Sequence, residues 1–347
     1  MNAQIALILG QDGITNGAVY ALLALSILLV FTVTRVLFIP QGEFVAFGAL
    51  TMAALQAGTP TRLVWLLAGF AVAEFLADVM AMRKRTGVLR VRPMMCVKLI
   101  YPFALAALLY TLPLASLPMM VRAILALAIL VPMGPQIYRL FFQPIASAST
   151  LVLLIVSISV HLALVGLGLL IFGPEGARTD AFSDTTFPVG PVNISSQAIC
   201  VVVVSLILIV VLYAFFERTM YGKALRAAAF NRLGARLMGI SPIFAGKATF
   251  FLAALIGTVS GILIAPITTI YFDSGFLISL KGFVGSIIGG LVSYPVAAAG
   301  ALLVGLIEAF SSFWASAYKD IIVFTLIIPV LVWRSLKSHH VEEEDDQ

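Results

Sequence analysis

The sequence has few charged side chains for its length. Of its 347 residues, only 11% are charged, whereas 61% are hydrophobic. Soluble domains carry about 25% charged residues, and a soluble core of this size could not bury so much apolar surface. Lipid must therefore be the solvent for much of the chain. We predict an all-α fold, a polytopic transmembrane helical bundle.

Cysteine and histidine are also scarce. Cys96 and Cys200 are too few for a disulfide framework or a zinc site. The three histidines are scattered, with His161 inside an apolar run and His339 and His340 near the end of the sequence. We predict no metal site, no cofactor bound by this chain and no redox chemistry. We expect His161 to be a hydrogen-bonded packing residue.

A phosphate-binding loop is missing as well. Such a loop needs glycine, four residues, and then Gly-Lys-Ser or Gly-Lys-Thr. The nearest segment is Gly246-Lys247-Ala248, which has Ser241 in place of the first glycine and alanine in place of the hydroxyl residue. Any ATPase, with its ATP and magnesium, must then be a separate polypeptide. A paired nucleophile and base at a plausible spacing is also lacking, which disfavours an intramembrane enzyme.

Basic residues are present, but they are confined to short stretches between apolar runs, a pattern that does not indicate nucleic-acid binding. The first group is Arg83, Lys84, Arg85, Arg90, Arg92 and Lys98; the second is Arg218, Lys223, Arg226, Arg232, Arg236 and Lys247; the last is Arg334 and Lys337. By the positive-inside rule all three groups are cytoplasmic. The stretch 173–193 holds only Arg178 and is predicted to be external.

Apolar runs of about the length of a membrane span recur along the chain. We place them at 8–36, 42–58, 62–82, 98–113, 117–138, 149–172, 195–216, 242–265, 280–293, 296–314 and 320–334. This gives about ten or eleven membrane segments, including broken or re-entrant helices. The carboxyl terminus is then cytoplasmic and, if every segment crosses, the amino terminus is outside. We assign 1–338 to one transmembrane domain and expect 339–347 to be a disordered acidic cytoplasmic tail.

Two of these segments are interrupted as a transport path requires. At the first break, Pro40 precedes Gln41, Gly42 and Glu43; the second is the short run 280–293, followed by Pro295. Irregular backbone inside a membrane is tolerated where it is buried in protein or lines a wet cavity. We therefore predict that a substrate path is lined by Gln41, Gly42, Glu43, Gly282, Gly285 and Gly289. The alternative is two tight loops at opposite surfaces.

Glycine and alanine also recur at four-residue spacing in the carboxyl half. They are Ala253, Gly257 and Gly261 in one segment, and Gly285 and Gly289 in the next. This spacing predicts close helix packing.

Four carboxylates fall inside apolar segments, where a charge is costly without a partner. Glu74 and Asp78 are one helical turn apart, and we expect them to pair with the basic residues at 83–85. Glu43 is a candidate for the path or for a helix end. Glu308 is either buried by packing or facing a cavity. A proton-coupled secondary transporter that uses Glu74, Asp78 or Glu308 is the alternative function.

The most informative stretch is 217–241, between two membrane segments. Its helix-favouring residues place Leu225, Ala229, Leu233 and Leu237 at intervals of four, beside basic residues. Glycines punctuate the stretch at Gly222, Gly234 and Gly239. This predicts a short amphipathic helix that docks a soluble partner. A helix lying on anionic lipid is the alternative.

Several motifs resemble one transporter family. They are Gly222-Lys223-Ala224-Leu225-Arg226-Ala227 followed by Asn231, Ala235 and Leu237-Met238-Gly239-Ile240; Gly17-Ala18-Val19-Tyr20-Ala21-Leu22-Leu23-Ala24-Leu25; Gly42-Glu43-Phe44; Leu280-Lys281-Gly282-Phe283-Val284 with Gly289-Gly290; and Ala317-Tyr318-Lys319-Asp320. In this order they resemble the membrane subunit of ATP-binding-cassette (ABC) importers of the high-affinity branched-chain amino acid transport family. Gln41 replaces the histidine common in that family, and the stretch 80–117 has no clear counterpart.

The resemblance implies an importer of several subunits in a bacterial inner membrane. It implies a second permease chain, two cytoplasmic ATPases and a periplasmic substrate-binding protein as partners, with a small solute such as a branched-chain amino acid as cargo. It further implies that the ATPase docks on the 222–240 loop. The residues expected to couple ATP hydrolysis to transport are Gly222, Leu225, Arg226, Asn231, Arg232, Leu237 and Gly239.

Overall fold

The computed structural model describes residues 3–86, 93–183, 185–189, 192–291 and 293–337. Within these ranges the chain is helical apart from short connections and one two-stranded hairpin, which confirms the predicted fold class. The acidic tail 339–347 lies outside the described residues, as do Arg90 and Arg92 of the first basic group.

The elements follow one another with short connections. The first half contains α1 (Ala3–Thr34), α2 (Gln41–Gln56), α3 (Leu63–Thr86), α4 (Pro93–Thr111), α5 (Met119–Leu130) and α6 (Met133–Ile137). The second half contains α7 (Thr150–Phe172), β1 (Thr186–Val189), β2 (Val192–Ser195), α8 (Ser196–Arg218), α9 (Met220–Phe230), α10 (Arg232–Leu237), α11 (Pro242–Ile264), α12 (Ser274–Ile288), α13 (Tyr294–Trp314), α14 (Lys319–Thr325) and α15 (Ile327–Lys337). After α6 the chain passes through a π-helical turn, Tyr138–Phe142, and 3-10 turns lie at Leu114–Ser116, Gln143–Ile145 and Ser316–Tyr318.

Eight helical stretches within the described ranges are long and apolar enough to cross a membrane, which supports the polytopic prediction. The two interrupted segments form shorter helices, with 16 residues in α2 and 15 in α12. A span of the bilayer core needs about 20 helical residues. Each of the two therefore needs its irregular neighbouring stretch to reach across, and α12 begins six residues earlier than predicted.

The centre of the bundle is α1. Of its most apolar window 89% is buried, against 17% for α8 and 22% for α7. It packs on α13, α11 and α12. Glycines allow this approach, because a Cβ on Gly13 would lie 2.8 Å from the Cα of Leu306. The outer helices α7 and α8 expose leucine, isoleucine and valine, as a lipid-facing surface requires.

The bundle has two distinct ends. At one end, the Thr32 hydroxyl near the close of α1 lies 3.3 Å from the Tyr294 hydroxyl at the start of α13, and α9 packs on α1 there. At the other end lies the β1–β2 hairpin, where the Asp180 main-chain N–H donates to the Gln56 side chain. We call these the knob end and the hairpin end.

Small residues bring the interior helices together, as their spacing predicts. A Cβ on Gly261 of α11 would lie 2.1 Å from the Val45 carbonyl of α2. A Cβ on Gly285 of α12, or on Gly289 just after it, would meet Ala301 or Ala297 of α13 within 3 Å. Helices in lipid associate through such contacts, since no hydrophobic force drives them together.

Candidate functional site

The stretch between α8 and α11 forms two short helices, so the prediction of one amphipathic helix is wrong. The Thr219 hydroxyl accepts a hydrogen bond from the Gly222 N–H at 3.0 Å and caps α9, and Asn231 Oδ1 accepts from the Gly234 N–H at 2.8 Å and caps α10. Asparagine satisfies the backbone outside a helix, which is why the helix breaks there. Gly239 follows α10 with φ +82°, a conformation that favours glycine. We call residues 219–240 the knob.

One face of the knob is buried on the bundle. Leu225 is fully buried and, with Ala228 and Ala235, packs in a cluster with Leu29 and Val33 of α1. This face holds the knob firmly against the end of the central helix.

Leu233 and Leu237, by contrast, are 69% and 79% exposed. The predicted apolar stripe therefore does not continue into α10, because the break at Asn231 changes the direction of the chain.

The second half of the knob exposes four large apolar side chains. Phe230 is 90% exposed and Met238 83%, and Leu233 and Leu237 lie between them in sequence. Exposed apolar patches mark interaction surfaces with proteins or membranes. We call these four residues the apolar patch.

Two arginines fasten the knob to the bundle. Arg226 donates to Glu217 Oε1 at 2.7 Å and to the Phe216 carbonyl at 2.6 Å. Arg232 donates to the Val33 carbonyl, with Nη2 2.9 Å from the oxygen. The hydrogen bond to Glu217 raises the pKa of Arg226, and burial lowers the pKa of Arg232. Both stay charged at neutral pH, as guanidinium groups do in proteins.

Gly222 permits the tight turn from α8 into α9. A Cβ at this position would lie 2.2 Å from the Phe215 carbonyl oxygen, which is closer than any real Cβ contact. The glycine therefore determines how closely the knob folds back on α8.

The first predicted break, between α1 and α2, lies inside the bundle. Phe38 is 2% exposed, and its ring centroid is 4.6 Å from that of Phe250. Gln41 is fully buried and donates from Nε2 to the Ala253 carbonyl in the middle of α11. The Ile39 N–H donates to Ser157 Oγ. Other helices thus pack on this irregular stretch and hydrogen-bond to it, as expected of a break inside the bundle.

Glu43 and His161 form the polar centre of this break. His161 Nδ1 lies 2.7 Å from Glu43 Oε1, and Glu43 is 1% exposed. His161 is therefore a hydrogen-bonded residue, as predicted, with a partner that its position in the sequence did not reveal. Glu43 Oε2 and Gln41 Oε1 are buried without a hydrogen-bond partner in the part of the chain described.

The second predicted break contains a turn, and its proline starts a helix. Gly290 and Leu291 have φ +65° and +57°, and Pro295 occupies the first turn of α13, where its missing N–H is harmless. Pro295 therefore does not interrupt a helix, contrary to our expectation. Gly282 packs on Leu23 and Ala24 of α1.

The predicted path residues lie in helix contacts in this chain. A Cβ on Gly42 would lie 2.2 Å from the Gly275 carbonyl oxygen, so α2 and α12 touch there. Farther along α12, Gly282 faces α1 and Gly285 faces α13. That these residues line a path remains a prediction.

The carboxylates of α3 are ion-paired with cations from outside that helix. Glu74 Oε1 lies 2.8 Å from Lys98 Nζ and 3.1 Å from Lys247 Nζ. Asp78 accepts from Arg139. The pairing expected with the basic residues at 83–85 stays a prediction, because the side chains of Lys84 and Arg85 lie outside the described part of the chain. The cations described here come from α4, from α11 and from the turn after α6.

Glu308 belongs to a buried group that sequence reasoning missed. It accepts from the Tyr20 hydroxyl and from Lys281 Nζ, each at 2.6 Å. Lys281 also lies 2.9 Å from Asp320. A lysine within the apolar run of α12 could have revealed the pairing, since a buried cation needs a carboxylate. Glu308 lines a cavity, the second of the two expectations for it.

Comparison with known proteins identifies the family. Residues 11–331 match the family described as branched-chain amino acid transport system / permease component. No solved structure matches the chain.

Relatives with described functions agree. The chain is 30% identical over 241 residues to the high-affinity branched-chain amino acid transport system permease protein BraD of Pseudomonas aeruginosa, covering 67% of this chain and 78% of that protein. It is 28% identical over 206 residues to the permease protein LivH of Escherichia coli K12, and to LivH of Salmonella typhimurium, covering 57% of this chain and 67% of each relative. These relatives are transport components, which confirms the expectation of a permease rather than an enzyme. With a family match over nearly its whole length, and eight membrane-length helices in the part that the structure describes, the chain belongs to the family of branched-chain amino acid transport system permease components.

Proposed function

We propose that this chain is the membrane subunit of an ABC importer that moves a branched-chain or related amino acid across a bacterial inner membrane into the cytoplasm. The observation that carries the proposal is the knob, which is fixed to the bundle through Leu225 and its cluster and exposes the apolar patch. Family membership supports the transport class, and the names of the relatives support the cargo.

Two cytoplasmic ATPase subunits dock on the importer. One binds the apolar patch of this chain, and the other binds the partner permease. The four side chains of the apolar patch are short of contacts in this chain alone, and a partner groove that received them would remove them from water. The basic residues around the knob support a cytoplasmic location by the positive-inside rule. ATP and magnesium are bound by the ATPases, and this chain binds no cofactor.

Movement of the knob reaches the membrane through the end of α1. Arg232 and Leu225 attach the knob to Val33 and Leu29, and the broken stretch 35–40 follows directly. That stretch leads into α2, which touches α12 at Gly42 and Gly275. ATP-driven closure of the ATPases thus shifts the two short helices, a conformational step without a covalent intermediate.

A periplasmic binding protein delivers the solute at the hairpin end, opposite the knob. A second permease chain, identical or related, completes the membrane unit. The path then follows the two short helices, with Gln41, Gly42 and Glu43 at the first and Gly282, Gly285 and Gly289 at the second. Opening of the Gly42–Gly275 contact supplies the alternating access that such a path needs.

The docking surface is tested by two leucine variants matched for exposure. Leu237 on the knob is 79% exposed, and Leu170 near the hairpin end is 77% exposed. We expect Leu237→Ala to lower the amount of ATPase that copurifies with the chain from its native membrane, and Leu170→Ala to leave it unchanged. Equal copurification with both variants would refute docking at the patch.

Two further measurements test the side of the membrane and the energy source. A cysteine introduced at Asn231 should react with an impermeant thiol reagent only from the cytoplasmic side. Vesicles that contain this chain alone should not take up leucine when a proton gradient is applied. Labelling from outside, or proton-driven uptake, would overturn the importer assignment.

A further inference from the structure

A polar cavity of about 390 Å³ lies at the hairpin end of the bundle, apart from the predicted path residues. It is formed by the first part of α1, the start of α8, the end of α13 and the start of α14. Its volume falls in the range of about 300–1,000 Å³ typical of small-molecule sites. We call it the vestibule.

The wall of the vestibule carries charges of both signs. Asp12 on α1 and Glu308 on α13 contribute carboxylates, and Lys319 at the start of α14 contributes an ammonium group. Asn16 and Ser312 add neutral hydrogen-bonding groups. A ligand with separate positive and negative groups matches such a wall better than a singly charged one.

Glu308 is held in place from behind. Tyr20 and Lys281 each donate to one of its two oxygens at 2.6 Å, and the residue is only 8% exposed. A carboxylate has about four acceptor sites, so both oxygens retain capacity for a further donor from the cavity. Lys281 is itself fixed by Asp320, the residue after Lys319. The Glu308 carboxylate is therefore preorganised, and little of its side-chain entropy is lost when a ligand binds.

Apolar residues complete the lining. Leu9 of α1, Ala198 of α8 and Ile267 after α11 lie in the same cavity as the charges. A cavity lined by both charged and apolar residues suits a molecule that carries charged groups and a hydrocarbon chain.

We infer that the vestibule binds a zwitterionic aliphatic amino acid before it enters the membrane path. Its α-ammonium group donates to Glu308 and Asp12, its α-carboxylate accepts from Lys319 and Asn16, and its side chain packs on Leu9 and Ile267. Lys281 and Tyr20 are positioning residues that orient Glu308. The inference rests on the proposed function and deepens it, because it assigns solute selection to the permease as well as to the binding protein.

The test uses the complete importer in proteoliposomes, with its ATPases and binding protein. Uptake of leucine is measured with the binding protein at a saturating concentration. Two competitors are added in turn: leucinamide, which lacks the carboxylate, and 4-methylpentanoate, which lacks the amine. We expect Lys319→Gln and Asp12→Asn each to raise the KM for leucine about tenfold, the loss of one charged hydrogen bond. Lys319→Gln should also reduce the advantage of leucine over leucinamide as a competitor, whereas Asp12→Asn should reduce its advantage over 4-methylpentanoate.

Arg62→Gln is the matched control, because Arg62 is an exposed basic residue of the α2–α3 connection that does not line the vestibule. It should leave both the KM and the order of competitors unchanged. Glu308→Gln removes the counter-charge of Lys281, so the folding of that variant is checked first. The tests with Lys319→Gln and Asp12→Asn do not require it.

The outcomes separate the two proposals. Suppose the wild-type importer transports leucine, and Lys319→Gln and Asp12→Asn change neither the KM nor the order of competitors. The inference about the vestibule is then wrong, and the proposed function stands. Wild-type importer without leucine uptake or leucine-stimulated ATP hydrolysis would overturn the proposed function, and the vestibule with it.

Discussion

The guanidinium of Arg232 lies 2.9 Å from the main-chain carbonyl of Val33, a residue 199 positions earlier in the chain. The last carbonyl groups of a helix have no partner within it, and here a cationic side chain from the knob satisfies one of them. The contact joins the proposed ATPase docking element to the last turn of the central helix. One residue beyond that helix, Arg35 has φ +61°, so the chain turns sharply there.

Replacing Arg232 should uncouple ATP hydrolysis from transport. We expect Arg232→Ala to lower uptake about tenfold, the effect of losing one charge-assisted hydrogen bond, while ATP hydrolysis in the assembled importer continues. Uptake and hydrolysis are measured on the same proteoliposomes. Arg236 is an exposed arginine of the same short helix, and Arg236→Ala is the control. It should keep the wild-type ratio of uptake to ATP hydrolysis. An unchanged ratio in Arg232→Ala would exclude a coupling role.

A methyl group at Gly222 should displace the knob. Because its Cβ would lie 2.2 Å from the Phe215 carbonyl, Gly222→Ala forces α9 away from the end of α8. We expect the ATPase no longer to copurify with Gly222→Ala, although this variant inserts into the membrane as the wild type does. In Gly234→Ala the nearest contact is 3.3 Å, to the Asn231 side chain, so that variant should retain most of the ATPase. Retention in both would show that the turn can relax.

Leu225 should contribute most of the stability of the knob. It is fully buried against α1, and truncation of a buried leucine costs about 2–5 kcal/mol. Leu225→Ala should therefore make the knob more sensitive to limited proteolysis, with cleavage between α9 and α10. Leu233→Ala, at an exposed position, provides the comparison. Similar cleavage of both variants would contradict the packing described.

The contact between the two short helices should tolerate no side chain. A Cβ on Gly42 or Gly275 would lie within 2.2 Å of the other's backbone carbonyl oxygen. We expect Gly42→Ala to lower the free energy of unfolding in detergent by about 1–3 kcal/mol, as overpacking does. Gly69→Ala should be neutral, because nothing lies within 4 Å of its Cβ position. A neutral Gly42→Ala would mean that α2 and α12 separate without cost.

Replacing Glu74 should destabilise the protein more than replacing Lys98, one of the two lysines that pair with it. Glu74 is 4% exposed and holds both Lys98 and Lys247, so Glu74→Gln leaves two cations without their counter-charge. Thermal unfolding in detergent should show a clear loss for Glu74→Gln and a smaller one for Lys98→Gln, whose side chain is 44% exposed and keeps access to water. The opposite order would indicate that Lys98 has a role beyond this pair.

The long helices were predictable, and the pairing of their polar groups was not. Runs such as 149–172 and 242–265 differ by only a residue or two from α7 and α11, because the thickness of the bilayer sets helix length locally along the chain. Lys281 and Glu308, or Glu43 and His161, come from helices whose neighbours depend on the whole topology. Spacing along one chain therefore indicates that a buried charge needs a partner, but not which residue supplies it.

The knob likewise has some features that the sequence predicted and others that depend on the tertiary structure. Glycines, basic residues and leucines at 217–241 indicated a docking element, since these properties depend on residue type. Which leucine is buried was decided by Asn231, whose side chain caps a new helix and turns Leu233 and Leu237 away from Leu225.

The sequence alone determined that much of the chain resides in lipid and where its long helices lie, because both follow from the cost of transferring each side chain from water. That its basic loops are cytoplasmic stays a prediction from the same sequence. Tertiary structure decided that the two short helices meet at Gly42 and Gly275, that Arg232 holds the end of α1, and that Glu308 faces a cavity with Asp12 and Lys319. Those relations join residues far apart in sequence, and only the packing of all the helices brings them within contact distance.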